Sequence, residues 1–346
     1  MEPFTAARRM GESPPPLMEI RAFGTNPGAL RLLTRLPPGL PPRAPLVVAL
    51  HGCGQTAEAF AVGAGWVTLA DAHGFALLCP QQARANNRAG CFNWFEPADV
   101  RPEGGEAASI LRMIDHVIRL ADLDVDRVFV TGLSAGGAMA LALLAIAPAR
   151  FAGGAIIAGM PFDVARGGAE AWLAMKTGVA LTDAALGDRI RRVSGSQPVW
   201  PRLSVWQGLA DTTVSPANAR RIVGQWRDLC DLPTEPDETV VAGILTTSRW
   251  GRDPAQLRLT LVAGMGHGAV VDSGRPGGGY AGPFLIDNGV ASALEIATDW
   301  GLTAARRRPS ATAEPTPSNA PPKAASRTPW RDHVKRAWRR LVARAR

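Results

Sequence analysis

The stretch that decides the fold is "RVFVTGLSAGGAMALALLA", Arg127 to Ala145. Its left half carries Val128, Phe129 and Val130, a continuous β-favouring run, and reads as a short buried strand. From Ala138 onward the composition turns to Ala, Leu and Met and reads as a helix. Ser134 falls between the two, inside Gly132-Leu133-Ser134-Ala135-Gly136, which is the GxSxG pattern of a strand-to-helix elbow. A hydroxyl held at so sharp a turn needs an unfavourable backbone angle, and side-chain-free neighbours let strand and helix close around it. The helix that follows offers N–H groups at its start to a developing oxyanion, and the N–H of Ala135 is the first of them.

Outward from this elbow the chain alternates strands and helices. "ALRLLTRLP", "APLVVALHG" and "FALLCP" read as strands before it, with a helix over "AEAFAVGAGWVTLADAHG" and an amphipathic helix over "GGEAASILRMIDHVIRLAD". After it come the strand "FAGGAIIAG", a helical stretch near 169–193, the strand "RLSVWQG", the helix "PANARRIVGQWRDL" and "QLRLTLVAG" as the last strand. A helix over "GVASALEIATDWGL" closes the domain. Strands separated by helices of this length mean parallel βαβ units, so the expected fold is α/β, a mostly parallel doubly wound sheet with helices on both faces. The segment 160–201 exceeds an ordinary crossover, and a small cap over the site and a plain long helix both fit it.

A serine hydroxyl becomes nucleophilic when a positioned imidazole takes its proton and a carboxylate fixes that imidazole's tautomer. There are five histidines. His73 and His116 follow or lie in helices and read as surface or packing residues, and His333 is near the C-terminus. His51 ends a core strand just before a glycine and suits an oxyanion loop. His267, in the glycine-rich "LVAGMGHGAV" after the last strand, sits where doubly wound sheets bind ligands, beyond the carboxyl ends of the strands. In the α/β-hydrolase order the acid lies between serine and histidine. Asp211 in "SVWQGLADTTVSPANAR" follows a strand and precedes a helix, which favours it over Asp163, Asp183 and Asp188. The second oxyanion donor is expected from "LHGCGQT", at the N–H of Cys53.

The net charge of +8 is not spread evenly. Ala304 to Arg346 holds twelve Lys/Arg against two Asp/Glu, which leaves residues 1–303 slightly acidic. Nucleic acid is therefore not an expected partner of the main body. Residues 1–16 are polar, Pro-rich and expected to be disordered, 17–303 form the catalytic domain, and 304–328 read as a Pro/Ala/Ser linker. Residues 329–346, "PWRDHVKRAWRRLVARAR", space apolar residues at helical intervals among seven Lys/Arg, a basic amphipathic helix suited to an anionic surface or a polymer granule. A solvated tail fits the same composition. If the helix is the working part, the chain is instead a binding protein on a hydrolase scaffold. The N-terminus shows no apolar segment of signal-peptide type, so the residues themselves do not indicate export. Four cysteines with no CxxC spacing give neither a disulfide scaffold nor a metal site, and Cys79, in an apolar run, reads as a core thiol. The triad chemistry itself calls for no metal or organic cofactor.

Several blocks together, "LHGCGQTAEAFAVGAGWVTLADAHGFALLCPQQ", "CFNWFEP", "GGEAASI", "VFVTGLSAGGAMA", "FAGGAIIAGMPF", "WPRLSVWQGLADTTVSPANA" and "YAGPFLIDNGVASALEIATDWGL", resemble the bacterial polyhydroxybutyrate depolymerase family esterases, relatives of feruloyl and acetylxylan esterases. The likeness spans Leu17 to Leu302. It implies an α/β-hydrolase fold, carboxylic ester hydrolysis through Ser134, Asp211 and His267, and an ester substrate: a poly(3-hydroxybutyrate)-type polyester, its oligomers, or a short-acyl, feruloyl or acetyl-sugar ester. Family members are typically secreted. The resemblance also implies a Cys53–Cys91 bridge that pins the "CFNWF" loop beside the oxyanion hole, with Trp94 and Phe95 lining the substrate pocket.

Overall fold

The computed structural model describes residues 17–303, apart from 196, 198 and 253. The segment 1–16 expected to be disordered, the expected linker 304–328 and the expected basic helix 329–346 lie outside the described residues. The main sheet is built from β1 (Met18–Ile20), β2 (Arg31–Arg35), β3 (Leu46–Leu50), β4 (Ala76–Gln81), β5 (Val128–Leu133), β6 (Gly153–Ile157), β7 (Arg202–Gly208), β8 (Glu238–Ala242), β9 (Leu245–Trp250) and β10 (Leu257–Val262). Their order across the sheet is β1-β2-β4-β3-β5-β6-β7-β10-β9-β8. The six central strands, β4 to β10 in that order, are parallel, while β1 and β2 at one edge and β9 and β8 at the other are added by antiparallel pairing, so that β2 and β9 run against the central strands. This is the mostly parallel α/β sheet that the strand and helix alternation predicts.

The alternation of side chains across the pleat divides the core in two. Leu46, Val48 and Leu50 of β3 join Val128 and Val130 of β5 on one face, under the helices α3 (Gly105–Ala121), α4 (Ala135–Ile146), α6 (Asp183–Ser194) and α7 (Ala217–Leu229). Val47, Ala49 and Phe129 point to the other face, under α1 (Ala57–Gly63), α2 (Trp66–His73) and α8 (Ser292–Asp299). All twelve residues of α4 are buried, which is why the sequence after the elbow is apolar all round rather than striped. Leu141, Leu143 and Leu144 are fully buried, and each contributes roughly 2 kcal/mol.

Three local expectations are corrected. The stretch 57–74 is two helices, broken where Gly65 adopts φ 92° and passes so close to the Gly277 carbonyl that a Cβ would lie 2.4 Å from it. The stretch near 169–193 is also two helices, α5 (Gly168–Thr177) and α6, separated by the irregular segment 178–182. And β10 is not the last strand, since β11 (Ala269–Val271) and β12 (Leu285–Asp287) pair as a small parallel sheet of their own. The hairpin β8–β9, joined by a two-residue turn with Gly243 at φ 58°, was not visible in the apolar pattern because β8 is largely exposed.

Candidate active site

The elbow carries the strain its composition suggested. Ser134 has φ 57° and ψ −117°, a conformation that costs about 1–3 kcal/mol and persists only where the surroundings enforce it. They do so by close approach: a Cβ on Gly132 would lie 2.3 Å from the Gly136 carbonyl oxygen, and one on Gly136 would lie 2.3 Å from that of Leu50. The glycines are therefore required where strand β5, helix α4 and strand β3 nearly touch.

Three loops at the carboxyl ends of β5, β7 and β10 bring the sequence-predicted residues together. His267 Nε2 lies 2.9 Å from Ser134 Oγ, and His267 Nδ1 lies 2.7 Å from Asp211 Oδ2. The spacing is set by the backbone. β7 and β10 pair in parallel with Gly208 beside Val262, and beyond them Leu209 N–H donates to the Val262 carbonyl (3.0 Å) and Ala210 N–H to that of Met265 (2.8 Å). The acid loop and the histidine loop thus leave the sheet side by side and stay fastened together. Of the other candidate acids, Asp163 pairs with Arg166 and Arg189, Asp183 with Arg221 and Arg227, and Asp188 with Arg191, all away from His267.

The Asp211 side chain is wholly buried, and each oxygen has its own partners. Oδ1 accepts from the N–H groups of Thr213 (2.8 Å) and Val214 (2.9 Å), and Oδ2 accepts from Gln207 Nε2 (3.0 Å) as well as facing the imidazole. Burial alone would push this carboxyl up, but the hydrogen bond and charge of His267 and the two backbone amides outweigh it and hold it below the ordinary aspartate value. Because an ionised carboxylate only accepts, Nδ1 of His267 carries the proton and Nε2 is left to accept from the serine hydroxyl.

On the far side of Ser134, Ala135 is the first residue of α4, so its N–H has no intrahelical acceptor. Neither it nor the N–H of Cys53 has an acceptor among the described residues, and both residues line one cavity. His51 orients the second of these amides. Burial drives its pKa down to about 4, so the ring is neutral; Nδ1 donates to the Gly52 carbonyl (2.8 Å) while Nε2 accepts from Gln82 N–H (3.2 Å). In a trans peptide the N–H points opposite to the carbonyl, so fixing the Gly52 carbonyl fixes where the Cys53 N–H points.

The cavity holds about 340 Å³ and is walled mainly by Trp94, Leu133, Met160, Met175, Val214 and Phe284, with Ser134 and His267 also lining it. Trp94 lines it as expected. Phe95 is not among its lining residues: it packs edge-on against Trp94, ring centres 5.5 Å apart, in the apolar cluster that also holds Met160, Met175 and Val214. Cys53 and Cys91 are joined by a disulfide, which ties the oxyanion loop to the loop bearing Trp94. Sequence reasoning missed Met175 from α5 and Phe284 from the turn before β12, whose proximity no local pattern encodes. It also missed Gln207, for which a signal existed, a polar residue near the end of a strand, four positions before Asp211. Among the described residues, no group of three or more His, Cys, Asp or Glu side chains is placed to hold a metal ion, and no helix is long and apolar enough to cross a membrane.

Such a sheet, with a serine elbow, a histidine and a buried aspartate at its carboxyl edge, defines an α/β-hydrolase. Residues 30–233 match the family model described as Esterase PHB depolymerase, and the chain belongs to that family. It is a carboxylic ester hydrolase. The poly(3-hydroxyalkanoate) depolymerase C of Paucimonas lemoignei is 40% identical over 291 residues, covering 83% of this chain and 70% of that protein. Feruloyl esterase B of Thermothelomyces thermophilus is 28% identical over 74% of this chain and 89% of its own length. The solved acetyl xylan esterase from Aspergillus awamori superimposes with a TM-score of 0.71 over 83% of this chain and 99% of that one, at 21% identity, which speaks to the fold alone.

Proposed function

We propose that the chain is a serine esterase that works through Ser134, His267 and Asp211 by way of an acyl-enzyme, on poly(3-hydroxybutyrate)-type polyesters, their oligomers or related short-acyl esters. The observation that carries this reading is the unbroken hydrogen-bonded line from Ser134 Oγ through His267 to Asp211 beside an apolar cavity. Ser134 Oγ attacks the ester carbonyl as His267 Nε2 takes its proton; Asp211 stabilises the imidazolium, and the N–H groups of Ala135 and Cys53 receive the oxyanion. The tetrahedral species collapses with the proton passing from His267 to the leaving alcohol, and water repeats the sequence on the acyl-serine. Identity to the Paucimonas lemoignei depolymerase supports a hydroxyalkanoate substrate over a feruloyl or acetyl-sugar ester, to whose esterases the identity is lower.

The test is Ser134→Ala, assayed on p-nitrophenyl butyrate, with circular dichroism to verify the fold. Turnover should fall by about 10⁴-fold or more. A variant that keeps more than about a tenth of the activity defeats the assignment. A panel of hydroxybutyrate oligomers, feruloyl esters and acetylated sugars ranks the substrate classes.

A further inference from the structure

Two residues that line the cavity have no part in the chemistry above. Arg84 and Arg88 come from the loop between β4 and α3 and border the same space as Ser134 and His267. The remaining wall is almost wholly apolar, and none of the residues lining it is acidic. Arg84 Nη1 donates to the Arg88 carbonyl (3.2 Å), and among the described residues neither guanidinium meets a carboxylate. Elsewhere in the molecule many arginines are paired: Arg31 with Glu19, Arg35 with Asp71, Arg43 with Asp124 and Arg249 with Glu238.

The loop that presents the two cations is braced. The Cys53–Cys91 bridge holds it three residues past Arg88, and Gly54 N–H donates to the Ala89 carbonyl (2.9 Å). Between the two arginines Asn87 is buried, with Oδ1 accepting from Ala89 N–H (3.0 Å) and Nδ2 donating to Asn93 Oδ1 (2.9 Å). The backbone positions of Arg84 and Arg88 are thus fixed relative to the oxyanion loop, a condition for recognition rather than loose attraction.

We infer that Arg84 and Arg88 form a carboxylate subsite that binds the free acid end of a short oligoester. The inference rests on the serine-esterase reading and names the substrate class of that same site. In a linear oligomer of a 3-hydroxy acid the free carboxylate always lies on the alcohol side of the ester being cut, and in the last unit one methylene separates it from the oxygen-bearing carbon. When Ser134 attacks the final ester, the carbonyl-to-oxygen bond breaks and His267 returns its proton to that oxygen. The leaving group is then a free hydroxy acid, its carboxylate held by the guanidinium forks, while the acyl fragment stays on Ser134 until water releases it. Planar guanidinium groups match a carboxylate two bonds at a time. A cavity of about 340 Å³ is at the small end of the range for small-molecule sites, as suits a short oligomer.

The experiment compares kcat/KM for the linear 3-hydroxybutyrate dimer as free acid and as methyl ester, scoring cleavage of the internal ester, at low and high ionic strength. The enzymes are the full chain, the double variant Arg84→Gln with Arg88→Gln, and the double variant with Lys at both positions. Turnover of p-nitrophenyl butyrate normalises each for general damage. The full chain should favour the free acid by about tenfold at low salt, and that preference should shrink as salt screens the exposed cations. It should fall to near unity in the Gln variant and to an intermediate value in the Lys variant, which keeps charge but not the fork. Equal or better cleavage of the methyl ester by the full chain, a preference that survives both Gln substitutions, or failure to cut the dimer while p-nitrophenyl butyrate is cut overturns the inference. If p-nitrophenyl butyrate is not cut at all, or is cut equally by Ser134→Ala, the reading of the site fails instead.

Discussion

The two oxygens of Asp211 are not interchangeable, and this makes the histidine's tautomer testable. Thr213 and Val214 amides both donate to Oδ1, so an asparagine at this position must keep its carbonyl oxygen there and turn its NH₂ toward His267 Nδ1. An NH₂ donor forces Nδ1 to accept, which moves the ring proton to Nε2, where it faces Ser134 and can no longer receive the hydroxyl proton. Asp211→Asn is therefore expected to lower kcat on p-nitrophenyl butyrate by about 10⁴-fold with little change in the fold. A loss below about tenfold would mean that Asp211 does not set the tautomer. At this scale the sequence was most informative. The glycines around Ser134, the histidine in a glycine loop and an aspartate in a turn each carry their signature within a few residues, because each is a local backbone requirement. Phe95 was misplaced for the opposite reason. Which way Phe95 points in an irregular loop depends on residues distant in the chain, such as Met160 and Met175 of the cluster it joins, whereas Gln207 finds its partners Gly208, Asp211 and Val214 within seven residues and was legible in principle.

Among the elements, the loop between β4 and α3 owes its shape to a carboxyl group that the chemistry does not use. Glu106, in the first turn of α3, is 1% exposed; its oxygens accept from Gln82 Nε2 and from Asn93 N–H (2.8 Å), and Gln82 also donates to the Cys91 carbonyl (2.9 Å). Burial drives its pKa from 4.5 up to about 8, against the opposing pull of the Asn93 and Gln82 hydrogen bonds. A folded-state pKa above the unfolded one means that the folded protein binds the extra proton between those values. The contribution of Glu106 is thus fully present below pH 4.5 and is lost as pH rises through about 8, with a slope of at most about 1.4 kcal/mol per pH unit. Thermal unfolding of the full chain against Glu106→Gln, scanned from pH 5 to 9, should show a flatter pH dependence in the variant; parallel curves would remove Glu106 as the source. Elements themselves were legible wherever burial imposed a period. β3 and the first half of β5 are continuous apolar runs because both faces are covered, whereas the largely exposed β8, its partner β9 and the short β11 and β12 gave no such signal. The break at Gly65 was missed because the carbonyl it must approach belongs to Gly277, more than two hundred residues further along.

For the molecule as a whole, charge and chemistry are separated along the chain. The residues that build the site lie between His51 and Phe284, at the carboxyl edge of a sheet whose two faces are closed by separate cores. The basic surplus lies instead after Thr303, where Lys/Arg outnumber Asp/Glu by ten. The triad and the residues that line its cavity all lie within the described residues, so ending the chain at Thr303 should leave p-nitrophenyl butyrate turnover within about twofold. Long-range attraction is a different matter, since a cationic segment raises the local concentration of an anionic surface and does so less at high salt. Co-sedimentation with anionic vesicles and with polyester granules, full chain against the shortened one, separates the two roles. Lost sedimentation with intact ester turnover makes residues 304–346 an adaptor; no change in either makes them inert. A fall in turnover beyond about tenfold on the soluble ester would show that the tail reaches the cavity, and the division between a catalytic body and a basic extension would have to be abandoned.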